Sequence, residues 1–93
     1  MLTIEFSRHA LEKARWRKVK IQHIRLTLKD PDELYKDVEH EAMIAIKKVN
    51  EKSIVVAYRK EDNLVKVITL YYTTKLDRLV KAKRVRGAWK EIK

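Results

Sequence analysis

Apolar and polar residues alternate at the start of the chain. Leu2, Ile4 and Phe6 are separated by Thr3 and Glu5, which predicts a short half-buried strand. Ser7 follows as a helix N-cap candidate, its hydroxyl placed to accept a bond from a free first-turn N–H. A helix over about residues 8–17 carries Leu11 and Ala14 inward and leaves Arg8, Lys13, Arg15 and Arg17 outward. Ile21, Ile24 and Leu28 then recur at helical spacing and predict a second amphipathic helix. It ends by Lys29, because Pro31 disfavours helical backbone at Asp30.

Residues 42–49 (AMIAIKKV), 53–60 (SIVVAYRK) and 64–73 (LVKVITLYYT) are rich in Val, Ile and Tyr and read as strands. The connectors NEK and EDN are short and polar, so the three strands form an antiparallel meander. Residues 34–37 (LYKD) add a short edge piece. Thr74 is the next N-cap candidate, with Leu76, Leu79, Val80 and Lys83 on one face and Gly87 just past the helix end. The stretch VKAKRVR also fits a strand. The order β-α-α-β-β-β-α predicts an α+β fold, with two N-terminal helices packed on an antiparallel sheet of three or four strands and a helix near the C-terminus.

At 93 residues the chain is one domain, 1–93, able to bury one modest core. It has no cysteine, hence no disulfide framework and no thiolate metal site. It has no apolar run long enough to cross a membrane, and its start lacks the layout of a signal peptide. A cytoplasmic location without membrane partners is expected. Charged residues make up 39% of the chain, a profile common in heat-adapted proteins.

The net charge of +10 is concentrated at the two ends. Residues 8–20 carry six Lys/Arg against one Glu, and the basic segment 75–93 carries eight against two acids. Residues 21–74 are neutral overall. A neutral centre with basic flanks suits a polyanion, nucleic acid first and an acidic protein second.

Several short motifs carry a resemblance. Ser7, His9 and Ala10 form a Ser-x-His-Ala stretch, followed by Lys13 and Arg17 at basic positions. Lys18-Val19 stands at a helix–helix turn, Pro31, Asp32 and Tyr35 form a Pro-Asp-x-x-Tyr turn, and Val67, Thr69 and Tyr71 form a Val-x-Thr-x-Tyr strand. In this order they resemble a family of small domains in the RelE-like toxin superfamily, which tends to have Gly-Ile where Lys18-Val19 stands. The resemblance covers roughly residues 4–72 and implies a RelE-like fold. It also implies the toxin of a type II toxin–antitoxin system, a metal-independent endoribonuclease acting on mRNA, as many superfamily members do at the ribosome, and neutralised by an acidic antitoxin.

Metal-free RNA cleavage needs a base, an acid, cations for the phosphorane and a fixed geometry. His9 at the start of the first helix is a candidate base. Arg59, Lys66 and Tyr72 lie on the central strands, with Lys66 and Tyr72 placed by strand parity on one face as phosphate contact and proton donor. Arg8, Arg15, Arg17, Lys81, Arg84 and Arg86 are candidate RNA contacts, since Arg grips phosphate in two places. Each has an ordinary alternative: a helix-start histidine bonded to backbone, a solvated charge, a tyrosine covering the sheet. Trp16 and Trp89 can stack bases but are more often anchors of their own elements. No cofactor and no metal site is expected. Asp30, Asp32 and Glu33 straddle a proline turn, and His23 and His40 lack zinc-site spacing. A non-catalytic nucleic-acid binder, or a module for an acidic protein, remains open beside the nuclease.

Overall fold

The computed structural model describes residues 3–92. The elements are β1 (Thr3–Phe6), α1 (Arg8–Trp16), α2 (Ile21–Lys29), β2 (Glu33–Asp37), β3 (Ala42–Val49), β4 (Lys52–Glu61), β5 (Leu64–Thr73), α3 (Leu76–Val85) and β6 (Trp89–Glu91). The strands form one six-stranded sheet in the order β1-β5-β4-β3-β2-β6. Strands β2 to β5 are antiparallel neighbours. β1 joins β5 in parallel, pairing Ile4 with Val65 and Phe6 with Val67. β6 adds to the far side of β2, pairing Tyr35 with Glu91.

This six-stranded mixed sheet corrects the expected RelE-like arrangement of two N-terminal helices on three or four antiparallel strands with a helix near the C-terminus. The difference lies in strands with little local signal. β1 finds its parallel partner far along the chain, and β6 is three residues long. β2 is consequently an interior strand rather than an edge piece.

Side-chain alternation divides the core between the two faces. Ile54, Val56, Val67 and Leu70 meet Ala10 and Ala14 of α1 and Ile24 of α2. Tyr35, Ile44, Ile46 and Val55 point the other way, toward Trp89 and toward Leu76, Leu79 and Val80 of α3. The alternation shifts within β5. Ala57 pairs with Thr69, but Tyr58 pairs with Val67, so Ile68 is an extra residue. Lys66 and Tyr72 therefore face opposite sides of the sheet, correcting the shared face that simple parity predicts. Lys66 pairs with Arg59 on the α3 face, whereas Tyr72 packs with Leu70 and Ile54 against the α1 and α2 side.

Helices α1 and α3 close in the same way. After α1, the N–H of Lys18 donates to Arg15 O and that of Val19 to Ala14 O. After α3, the N–H of Gly87 donates to Arg84 O and that of Ala88 to Lys83 O. Both are Schellman closures, whose C′ residue must be left-handed. Gly87 has φ 77 and Lys18 has φ 52. The lysine thus takes the conformation for which a glycine is suited, and the buried Val19 locks the turn into the core. Tyr72 holds the following residues: its hydroxyl accepts from Lys20 N–H at 3.3 Å and lies 2.7 Å from His23 Nδ1.

A left-handed side chain costs roughly 1–2 kcal/mol where glycine is free of the penalty, and a β-branched one fits worst. Lys18→Gly is expected to be at least as stable as the parent, and Lys18→Val less stable than both, in urea midpoints. Equal stability of Lys18→Val and parent would rule out this turn geometry.

Candidate nucleic-acid interface

Strand β1 stops beside Val67, so the rest of the β5 edge needs other partners for its carbonyls. Helix α1 supplies them. Ser7 N–H donates to Val67 O, and Ser7 Oγ donates to Ile68 O at 3.1 Å while accepting from Ala10 N–H as the α1 cap. At the other end of α1, Arg17 Nη1 donates to Leu70 O at 2.9 Å, with its guanidinium 5.9 Å from the Tyr71 ring. Arg17 is therefore partly occupied in pinning α1 to the sheet.

The outer face of α1 is different. Trp16 is 79% exposed, against the usual anchoring role of tryptophan. Helical spacing puts His9, Lys13 and Trp16 on one stripe, with Arg8 and Arg15 beside it. Lys13 Nζ lies 4.9 Å from the Trp16 ring centre. Arg8, Leu11, Arg15, Trp16 and Lys18 line a shallow depression. Among the described residues Arg8 has one neighbour of opposite charge, Glu12 at 3.6 Å, and that pair is exposed.

The four expected catalytic residues do not assemble. Tyr72 is on the α1/α2 side, its hydroxyl bound at the helix–helix junction and its ring 4.0 Å from Lys52 Nζ. Arg59 donates to the carbonyls of His40 at 2.9 Å and Glu41 at 3.4 Å, bracing the β2–β3 turn. Lys66 sits opposite it, exposed. His9 Nε2 lies 3.4 Å from Thr69 Oγ1, and Thr69 shares the face of Lys66 and Arg59. Three of the four thus border one side of the sheet. Thr69 and Tyr71, not Tyr72, are the neighbouring hydroxyls on that side. Burial raises the Tyr71 phenol above its ordinary value, with the Arg17 charge acting in opposition. The bulge is what hid these two from strand parity.

The basic C-terminal segment crosses the sheet instead of closing over α1. α3 starts after β5 and its chain continues into β6 at the opposite edge. Arg84 lies 3.9 Å from Glu91, and Arg86 lies 3.0 Å from Glu39. Lys81 is exposed on α3 beside Arg84. Trp89 is a buried anchor, stacked on Tyr35 with ring centres 5.6 Å apart. Burial, then the Glu33 carboxylate bonded at 2.6 Å, pushes the Tyr35 phenol up to about 12.

Asp37, Glu39 and His40 bring three metal-type donors within 4.8 Å. Their capacity is already used. Asp37 Oδ1 accepts from the N–H groups of Glu39 and His40, Asp37 Oδ2 lies 3.0 Å from His40 Nδ1, and Glu39 holds Arg86. The cluster reads as a turn device.

A small mixed α/β domain, with one helix laid along a sheet edge and an exposed basic-aromatic face, is the class that this architecture defines. The chain belongs to the family described as a domain of unknown function (DUF4258), whose model matches residues 6–72. α3 and β6 lie beyond that match. No curated protein and no solved structure matches the chain. Among the described residues, no helix is long and apolar enough to cross a membrane.

Asp37 provides a check on the turn. Burial alone raises its carboxyl, but the His40 ring, the N–H groups of His40 and Glu39 and the His40 charge together hold it below 3.8. A carboxyl lowered by folding stabilises fully above its unfolded value and loses that contribution as pH falls through its folded value. The stability gap between the parent and Asp37→Asn is therefore expected to narrow below pH of about 4. Urea midpoints measured down the acid limb test this, and a constant gap contradicts a low-titrating Asp37.

Proposed function

We propose that this protein binds single-stranded nucleic acid, RNA foremost, across the outer face of α1. The observation that carries this is Trp16, exposed at 79% on a helix whose solvent side also bears Arg8, Lys13 and Arg15. An aromatic face accepts any base by stacking, and the flanking cations follow the phosphates. The resemblance of Ser7, His9 and Ala10 to a toxin motif favours RNA over DNA.

A second reading adds cleavage, with the protein as a ribonuclease toxin held in check by an acidic antitoxin. It is favoured by His9, which shares the α1 stripe with Trp16 and borders the sheet face bearing Lys66 and Arg59. His9 would take the 2′-hydroxyl proton as that oxygen bonds to phosphorus, Lys66 would stabilise the phosphorane, and the 5′-oxygen would leave with a proton from solvent water, giving a 2′,3′-cyclic phosphate. This reading assigns Tyr72 no part, because its hydroxyl is bound on the other side of the sheet.

Binding of a short labelled RNA is the primary test. Trp16→Ala is expected to cost about 1–3 kcal/mol, the usual worth of one stacked base. Affinity should fall with salt at a logarithmic slope of roughly −2 to −3, for about three or four phosphates on a single strand. Arg8→Ala and Arg15→Ala should each reduce that slope. Salt-independent binding, or full affinity in Trp16→Ala, sinks the proposal.

Cleavage is checked separately by incubating messenger RNA with the parent and with His9→Ala in a translating extract. Fragments that vanish with His9→Ala are expected if the protein cuts. Intact RNA with the parent leaves binding alone.

A further inference from the structure

A second concavity lies where the β3–β4 turn meets the start of α3, away from the outer face of α1. Lys48 and Ser53, paired across β3 and β4, form one wall, and Thr73 and the first turn of α3 form the other. α3 opens there without a side-chain cap from its N-cap residue, Lys75. The N–H groups of Leu76, Asp77 and Arg78 precede the first helical bond, from Leu79 N–H to Lys75 O, and so lack partners within the helix. Thr73 Oγ1 is occupied by Lys75 N–H at 3.0 Å. Lys75 adds a cation to the positive end of the helix, where Asp77 is the carboxylate of the first turn.

The second observation is independent of the helix. Ser53 is only 7% exposed and lines this cavity. It lies two residues from Val55 on the same strand, so it points to the face that α3 covers. Its hydroxyl makes no hydrogen bond to the described residues. The oxygen is not sealed off from solvent, and as a lining group of the cavity it is free to donate to a ligand there. Lys48, Lys75 and Arg78 form no ion pair among the described residues. Glu51 and Asp77 also stand on the rim, and the Lys52 ammonium is turned away onto the Tyr72 ring.

We propose that this cavity binds a phosphomonoester. The first-turn N–H groups and the Ser53 hydroxyl donate to its terminal oxygens, while Lys48, Lys75 and Arg78 balance its charge. Several convergent donors suit a tetrahedral group with multiple oxygens better than a planar carboxylate. The phosphate can belong to a free nucleotide or to the phosphorylated end of an oligonucleotide. The site does not rest on RNA binding by α1; a protein that bound no RNA there would still hold phosphate here.

The test is a titration of the isotope-labelled full chain with inorganic phosphate at constant ionic strength, followed by amide chemical shifts. Saturable shifts centred on Ser53, Asp77 and Arg78 are expected, with no such response to chloride. Arg78→Ala, on the surface and safe for folding, should weaken binding about tenfold, and Ser53→Ala by several-fold. Asp77→Asn should tighten it, which loss of a merely structural helix-start carboxylate would not do. Trp16→Ala should leave it unchanged, which separates this site from the α1 face. Non-saturating shifts, a response matched by chloride, or full affinity in Arg78→Ala overturns the proposal. AMP and a trinucleotide with a terminal phosphate distinguish the sources: tighter binding of the trinucleotide assigns the site to a chain end, and equal binding to the phosphate of a mononucleotide.

Discussion

The pairing of β4 with β5 is the constraint on which the other contacts depend. Residues 53–57 of β4 are buried in succession, Val55 toward α3 and Ile54 and Val56 toward α1 and α2. A strand covered on both faces reads as a continuous apolar run, not an alternation. Burying each of these large side chains contributes about 1.5–3 kcal/mol as an upper figure. The extra residue Ile68 then sets what β5 shows to each side. It lets Val67 and Leu70 both enter the α1/α2 core, while Lys66, Thr69 and Tyr71 face the α3 side. Without the bulge one of those two apolar residues would leave its core, or a charge would enter it.

That same strand decides which cations are free to act. The β5 edge beyond β1 consumes the Arg17 guanidinium, and the β2–β3 turn consumes that of Arg59. Arg84 and Arg86 are matched by Glu91 and Glu39. Exposed pairs of this kind add about 0–1 kcal/mol of stability, yet they cancel field where a ligand would feel it. On the outer face of α1 the one such pair among the described residues is Arg8 with Glu12, and Lys13 and Arg15 keep their charge there. Trp16 is exposed there because the inward positions of α1 are Ala10 and Ala14, small residues that bring the helix close to the sheet and leave no room for an indole.

The apolar runs that became β3, β4 and β5, and the spacing of Ile21, Ile24 and Leu28, were legible because they report local periodicity. Gly87 was legible as a helix end for the same reason. The partners of β1 and β6 were not, since a strand of three or four residues carries no record of its neighbour. Nor was the bulge: LVKVITLYYT alternates plausibly in either phase, and only Tyr58 opposite Val67 selects one. That single shift moved Tyr72 away from Lys66 and put Thr69 beside His9. Lys18 concealed the α1 closure, because a lysine gives no hint of the left-handed backbone it adopts. Arg17, Arg59, Arg84 and Arg86 look alike in sequence to Arg15. What distinguishes them is which carbonyl or carboxylate the fold brings within reach.

The arrangement also divides the basic C-terminal segment into two parts with different electrostatic character. Its second half, at Arg84 and Arg86, ends at the β2–β6 edge and is paired with acids. Its first half, Lys75 and Arg78, is held at the end of β5, where Thr73 fixes the Lys75 N–H. The end of α1 hangs on the same short stretch, through Arg17 on Leu70 O and Lys20 on the Tyr72 hydroxyl. Leu70 to Lys75 spans only about 17 Å even when fully extended. Exposed charges that far apart, about two Debye lengths of roughly 8 Å at physiological salt, are largely screened from one another and couple appreciably only at low salt. The C-terminal end of α1 and the N-terminal end of α3 are thus both anchored at one end of β5, on opposite faces of the sheet. That end presents the exposed Trp16 on one face and the uncapped N-terminus of α3 on the other.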